Sequence, residues 1–194
     1  MSNQSQLEKL NLEMSQCTKC PLRGDCQRVV FGAGDPEAEI MFIGEAPGKK
    51  EDELGMPFLG STGRILDKML EGIKIKREDV YLTNICKCRP PENRDPLPEE
   101  IELCSPWLEK QIQIINPKII VTLGRFALNY FLSEAKISQV HGNISEINIE
   151  KIGKIKLFPL HHPAAARINR QTRALFTQDF QKIPNILNQI KKEQ

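Results

Sequence analysis

Six cysteines mark where chemistry could lie in this chain: Cys17, Cys20, Cys26, Cys86, Cys88 and Cys104. The strongest local signal is Cys17-Thr18-Lys19-Cys20. Two intervening residues let one turn aim both sulfurs at a common point, and thiolates suit zinc or an iron–sulfur cluster. A chance pair is the competing reading. A site of this kind needs two more sulfurs. Cys88 stands where an apolar run gives way to Arg89-Pro90-Pro91, and Cys104 follows after a gap of fifteen residues. Spacing alone excludes neither Cys86 nor Cys26, and it does not choose between zinc and iron.

A second group of residues stands where apolar runs end. EIMFIG runs into Gly44-Glu45-Ala46-Pro47-Gly48, YLT runs into Asn84, and KIKLFPL runs into His161-His162-Pro163. A histidine can donate to a developing anion. An asparagine amide offers one donor and one acceptor side by side. Glycines let the backbone approach a ligand closely. Each has a plainer alternative: a structural histidine, a strand-end cap, an ordinary turn. A phosphate loop is a further alternative for GEAPG. It fails in detail, because three residues separate Gly44 from Gly48 and no Ser or Thr follows Lys49.

The elements that must position these groups follow from periodicity. Strands are predicted over 39–44, 80–85, 118–123 and 154–159, each a short apolar run between turn signals. A short amphipathic helix is predicted over 5–14, then a cysteine-bearing loop. Further helices are predicted from Gly60-Ser61-Thr62-Gly63 onward, over 96–115 with a disturbance at Pro106, over 125–132, and over 177–192 with a break near Pro184. Strands alternating with helices imply a parallel sheet covered on both faces, whose sites lie at the carboxyl ends of the strands. Gly44, Asn84 and His162 all fall at such ends.

The 194 residues suit a single domain, expected over 1–194 with a cysteine-bearing N-terminal segment at about 1–30. No apolar run approaches the length of a membrane span. The N-terminus lacks a basic segment followed by an apolar one, so a cytoplasmic location is expected, where cysteines serve more often as ligands than in disulfides. A net charge of +2 does not identify a nucleic-acid binder. The run from His161 to Arg173 says more: it holds Arg167, Arg170 and Arg173 and no acid.

Taken in order, GEAPGKKEDELGMPFLGSTG, YLTNICKCRPPENRDPLPEE, PKIIVTLG and HPAAA closely resemble the family 4, iron–sulfur uracil-DNA glycosylases, from about Cys17 to Asn169. The resemblance implies a three-layer α/β/α sandwich around a four-stranded parallel sheet. It also implies a [4Fe-4S] cluster and removal of uracil from single- or double-stranded DNA. Its cluster pattern falls on Cys17, Cys20, Cys88 and Cys104, leaving Cys86 and Cys26 over. His162 matches the histidine that donates to uracil O2, Phe58 the stacking aromatic, and Asn84 the residue reading the uracil edge. Amides around Ala46, with Glu45 and Pro47 beside it, match the turn facing the base. The aspartate that activates water in other glycosylases is replaced by Ala46, so Glu45 and Glu51 are both candidates for positioning water.

Arg89, Arg94, Arg167, Arg170 and Arg173 are candidates for phosphate contacts. A small Ala164-Ala165-Ala166 stands where a bulky minor-groove wedge is expected, and Ile168 could serve instead. A monomer is expected. The sliding clamp is a partner of some archaeal members, but no motif with paired aromatics supports it here. The alternatives are a zinc-stabilised nucleic-acid-binding module, a family 5 or covalently trapped relative, and a nucleotide-binding enzyme. GEAPG argues against family 5. The trapped variant's inserted basic loop is absent from KKEDELGMPF.

Overall fold

The computed structural model describes residues 1–193. Its strands are β1 (Ala33–Gly34), β2 (Ile40–Gly44), β3 (Tyr81–Asn84), β4 (Ile119–Leu123), β5 (Ser145–Ile149) and β6 (Gly153–Leu160). Its helices are α1 (Asn3–Ser15), α2 (Leu22–Asp25), α3 (Lys49–Leu54), α4 (Ser61–Gly72), α5 (Pro98–Ile115), α6 (Arg125–Phe131), α7 (Ile137–Val140), α8 (Pro163–Ile168), α9 (Arg170–Phe180) and α10 (Ile183–Glu193).

The strands form one sheet in the order β1-β3-β2-β4-β6-β5. The four inner strands run parallel, as their unbroken apolar sequences require. Alternate side chains serve opposite faces. Ile40, Phe42, Val121 and Phe158 pack with α4, α9 and α10, and Phe42 stacks on Phe180 at 5.6 Å. Met41, Ile43, Ile120 and Leu157 pack with α1, α5 and α6. The result is the expected three-layer sandwich.

The sheet is wider than the four predicted strands. β1 is only two residues long and pairs antiparallel with β3. β5 pairs antiparallel with β6, and its residues alternate between half-buried and exposed. One covered face gives no continuous apolar run, so its sequence signal is faint. The turn between β5 and β6 uses Lys151 at φ 66° and Gly153 at φ 90°.

α5 continues through Pro106. A proline ring removes the helical bond to the carbonyl four residues back, here that of Glu102. The Ser105 hydroxyl donates to that carbonyl at 2.9 Å, so the acceptor is not orphaned. The predicted helix over 177–192 instead belongs to two helices. The break falls between Phe180 and Ile183, and Pro184 lies in the first turn of α10, where its missing N–H costs nothing.

One local feature shapes the site. Phe58 is buried and adopts φ 55°, a left-handed conformation that costs a non-glycine residue about 1–2 kcal/mol. Its carbonyl carbon and oxygen press against the first turn of α4. A Cβ on Gly63 would stand 1.7 Å from that oxygen. Glycine in a helix is ordinarily worse than alanine by about 1 kcal/mol. At this position the sign should reverse. Gly63→Ala is expected to lower the denaturant midpoint, whereas Gly72→Ala, with nothing within 4 Å of the added carbon, should not. An unchanged midpoint for Gly63→Ala would show that Phe58 is not held by this contact.

Candidate functional site

The four parallel strands end along one edge of the sheet. Gly44 closes β2, and two side chains occupy the space a larger residue would need there. A Cβ on Gly44 would lie 2.4 Å from Asn84 Oδ1 and 2.7 Å from the Phe58 ring. Asn84, at the end of β3, is buried, and its side-chain amide has no protein partner among the described residues. One strand further across, Gly124 follows β4 at φ 90°, and its missing Cβ makes room for His162 at 2.9 Å. The structure therefore brings Gly44, Phe58 and Asn84 together and sets His162 at the neighbouring strand end.

His162 precedes α8 and caps it. Its Nδ1 accepts from the Ala164 amide at 3.2 Å. Nε2 must then carry the proton in the neutral ring. Desolvation of the ring pulls its pKa down to about 4, so the neutral donor form prevails at physiological pH.

The two candidate acids differ sharply. Glu51, in the first turn of α3, is buried and accepts from the amides of Leu59 at 3.0 Å and Gly60 at 2.8 Å. Its carboxylate is committed to the loop that carries Phe58. Glu45 is half-buried, and none of its carboxylate contacts is a hydrogen bond among the described residues. Burial pushes it up to about 7, the nearby Asp95 adds to this, and Arg125 opposes it. Asp95 and Arg125 are themselves ion-paired.

Glu45, Pro47, Glu51, Arg94, Ala164 and Arg167 line a single cleft of about 600 Å³ at this edge. Ala46 lines it too, so the GEAPG turn forms one wall. Lys49, Lys50 and Arg64 also border it, three cations that sequence patterning did not single out. Arg64 lies on the polar side of an amphipathic helix, where a solvated role is the ordinary expectation. The predicted arginines have distinct surroundings. Arg167 and Arg170 are exposed. Arg94 forms a two-pronged pair with Glu100 at 2.8 and 2.6 Å. Arg89 donates to Asn93 Oδ1 at 2.8 Å. Arg173 donates to the carbonyls of Ala166 and Arg167 at the end of α8, which ties it to the fold. Ile168, the last residue of α8, is 80% exposed.

All six cysteines belong to one satellite core with Leu10, Met14, Leu22, Val29 and Trp107. None is joined in a disulfide among the described residues. Among the described residues, no three His, Cys, Asp or Glu side chains are arranged to hold a metal ion. The donor chemistry of this core nevertheless fits a thiolate-bound cluster. The Lys87 amide donates to Cys104 Sγ at 3.2 Å. The Trp107 indole N–H is buried in the same core without an acceptor among the described residues. Cys86 neighbours Cys104, and Cys26 neighbours Cys88, closely enough for each pair to share a proton unequally, which draws Cys104 and Cys26 toward thiolate and pushes Cys86 and Cys88 the other way. The two cysteines outside the expected ligand set thus touch two members of it.

The sulfur core adjoins the strand ends directly. The amides of Ile85 and Cys86 donate to the carbonyls of Gly44 and Glu45, each at 3.0 Å. Lys87, between Cys86 and Cys88, is 1% exposed, and its ammonium reaches three oxygens. Burial pulls it down to about 8, against the raising effect of Cys104 and Cys86.

Comparison with known proteins accords with this geometry. Residues 31–187 match the family model described as the uracil DNA glycosylase superfamily. The type-4 uracil-DNA glycosylase of Archaeoglobus fulgidus is 44% identical over 183 residues, covering 91% of each chain. That of Sulfurisphaera tokodaii is 46% identical over 183 residues, 91% of this chain and 83% of the relative. That of Thermotoga maritima is 41% identical over 191 residues, 96% of each. With a model matched over most of its length and relatives of this similarity, the chain belongs to the uracil DNA glycosylase superfamily, on its type-4 branch.

Proposed function

We propose that the protein removes uracil from DNA by hydrolysing the N-glycosidic bond, leaving an abasic site. The observation that carries this reading is the crevice at the strand ends. A histidine held neutral, a buried asparagine amide and a buried aromatic ring stand at the strand ends along this one edge of the sheet, though none of the three lines the cleft itself.

The base must leave the helical stack to reach such a crevice, at a cost of a few kcal/mol. Phosphate contacts offset part of that cost and make binding salt-dependent. Exposed Arg167 and Arg170 fit that role best, with Arg64 beside them. Arg94, Arg89 and Arg173 act mainly through the loops they hold, and Ile168 is the exposed apolar residue suited to enter the gap. Phe58 stacks on the extruded base. The Asn84 amide offers its NH2 to uracil O4 and its oxygen to the N3 hydrogen, an arrangement that opposes cytosine at both points. As the glycosidic bond lengthens, negative charge grows on the base. The Nε2–H of His162 donates to O2 and stabilises it.

Glu45 is the better candidate for water, because Glu51 is occupied by two amides. As a carboxylate, Glu45 accepts a proton from the water that attacks the sugar carbon. Cys17, Cys20, Cys88 and Cys104 would hold a [4Fe-4S] cluster. Bound there, the cluster cross-links the N-terminal segment to the loop after β3, and hydrolysis requires no electron from it. DNA is the partner in this reading, and action as a cytoplasmic monomer belongs to it. No helix among the described residues is long and apolar enough to cross a membrane.

Three tests follow from these roles. His162→Ala should slow excision from a uracil-containing oligonucleotide by about 10²–10³-fold, the usual loss for one oxyanion donor, with DNA binding nearly unchanged. Excision at the wild-type rate would remove His162 from the reaction. For Glu45, the raised pKa sets the sign. The carboxylate is the active form, so kcat/KM should rise with pH through about 7. Glu45→Gln should be slow and should lack that limb, whereas a limb that persists would assign the titration elsewhere. For the cluster, protein purified without oxygen should be brown with absorbance near 400 nm. Cys17→Ala, Cys20→Ala, Cys88→Ala and Cys104→Ala should each lose iron, while Cys26→Ala and Cys86→Ala retain it. A colourless protein with bound zinc would replace the cluster with a zinc site.

A further inference from the structure

Among the described residues Lys87 is the one lysine enclosed in the core, and its partners are unusual. Its Nζ lies 2.7 Å from Thr83 Oγ1, 2.6 Å from the Asn84 carbonyl and 2.7 Å from Gln111 Oε1. An ammonium has three N–H donors and no acceptor, so three oxygens at these distances use all of them. No carboxylate is among the three. The backbone of Lys87 is held as well. Its amide donates to Cys104 Sγ at 3.2 Å, and its carbonyl accepts from the Val30 amide at 2.7 Å. The residue thus touches the sulfur core, the N-terminal segment, α5 and the end of β3 at once.

Its three oxygens do not depend on it equally. The Thr83 hydroxyl also contacts the Phe31 carbonyl at 2.9 Å and Gln111 Oε1 at 3.1 Å. Gln111 also donates to the Phe31 carbonyl at 2.7 Å and to Tyr81 Oη at 3.3 Å. Without the ammonium, these two side chains would keep each other. The Asn84 carbonyl has no second side-chain donor among the described residues. It belongs to the residue whose amide stands over Gly44 in the crevice.

We propose that Lys87 is a positioning residue: its ammonium fixes the backbone of Asn84, and so the aim of the Asn84 amide, against the sulfur core. The proposal rests on Asn84 acting as the base-reading residue. It also gives the sulfur core a task in a reaction that moves no electrons. Holding Cys104 and Val30 in place holds Lys87, and Lys87 holds Asn84.

A double-mutant cycle tests this, with holoprotein and a uracil-containing oligonucleotide. Lys87→Met keeps the apolar stem as far as Cε and removes the ammonium with its donors. It should lower kcat/KM by about 10²-fold, the order expected when a reacting geometry is displaced by about 1 Å. Iron content and the salt dependence of DNA binding should stay at wild-type values. Asn84→Ala should also be slow. In the double variant, Lys87→Met should cost less than about threefold beyond Asn84→Ala alone, because coupled residues are not additive. Multiplication of the two losses would overturn the proposal, since Lys87 would then act by a route that bypasses Asn84. Wild-type excision by Lys87→Met would overturn it too. If Asn84→Ala itself excises at the wild-type rate, the base-reading role fails first, which separates the two claims. Should Lys87→Met lose iron, Lys87→Gln, which removes the charge but keeps an amide NH2 with two donors on a shorter side chain, enters the same cycle under the same criteria.

Discussion

The absence of a side chain at Gly44 is the constraint on which the crevice depends. Asn84 Oδ1 and the Phe58 ring occupy the volume that a Cβ would take. Any larger residue would force both away from the strand end. Each of the two is in turn held from outside the crevice. Phe58 keeps its left-handed backbone because Gly63 lets α4 begin against its carbonyl, and because Glu51 gathers the Leu59 and Gly60 amides beside it. Asn84 is held through Lys87. Two glycines, Gly44 and Gly63, and two buried charged residues, Glu51 and Lys87, therefore hold the Phe58 ring and the Asn84 amide at the strand end.

The same logic links the N-terminal segment to the reaction edge. The carboxylate of Asp52 in α3 accepts from the Gln27 and Arg28 amides at 2.9 and 3.2 Å, next to Cys26. The Val30 amide meets the Lys87 carbonyl, and the Phe31 carbonyl accepts from Thr83 and Gln111. The chain from 26 to 31 thus runs between the sulfur core and the sheet. It has little secondary structure of its own, and its order comes from side chains donated by α3, β3 and α5. A group that cross-links the sulfurs would act on the crevice through these contacts, with no need for redox chemistry.

Much of this was legible in the sequence. Four inner strands announce themselves because burial on both faces demands unbroken apolar runs, and their ends point to Gly44, Asn84 and His162. The edge strands do not, since a half-covered strand such as SEINI carries polar residues on alternate positions, and a two-residue strand has no pattern. Pro106 suggested a disturbance, yet the helix continues through it and the Ser105 hydroxyl satisfies the carbonyl the ring leaves unpaired, an interaction between neighbours that helix propensity does not include. Lys87 and Gln111 were passed over for a related reason. A lysine in a basic loop looks solvated, and only the fold reveals three oxygens around it. The cysteine pattern shows the opposite limit. Spacing brings all six to attention, the fold packs all six together, and the choice of four still rests on the match to the family's motif.

The two glutamates of the cleft show how environment divides identical side chains. Glu51 and Glu45 border the same space, six positions apart in the chain. A carboxylate that receives two amide hydrogens has its charge satisfied in place, so an attacking water gains little from approaching it. Glu45 has no such donors. Its charge is opposed by burial and by Asp95, and only Arg125, itself committed to Asp95, works the other way. A base in this condition sits near neutrality, where it is ionised often enough to act and basic enough to take a proton. On the proposed reading, the turn has exchanged a carboxylate aimed at water for one set beside it, one residue earlier in the chain.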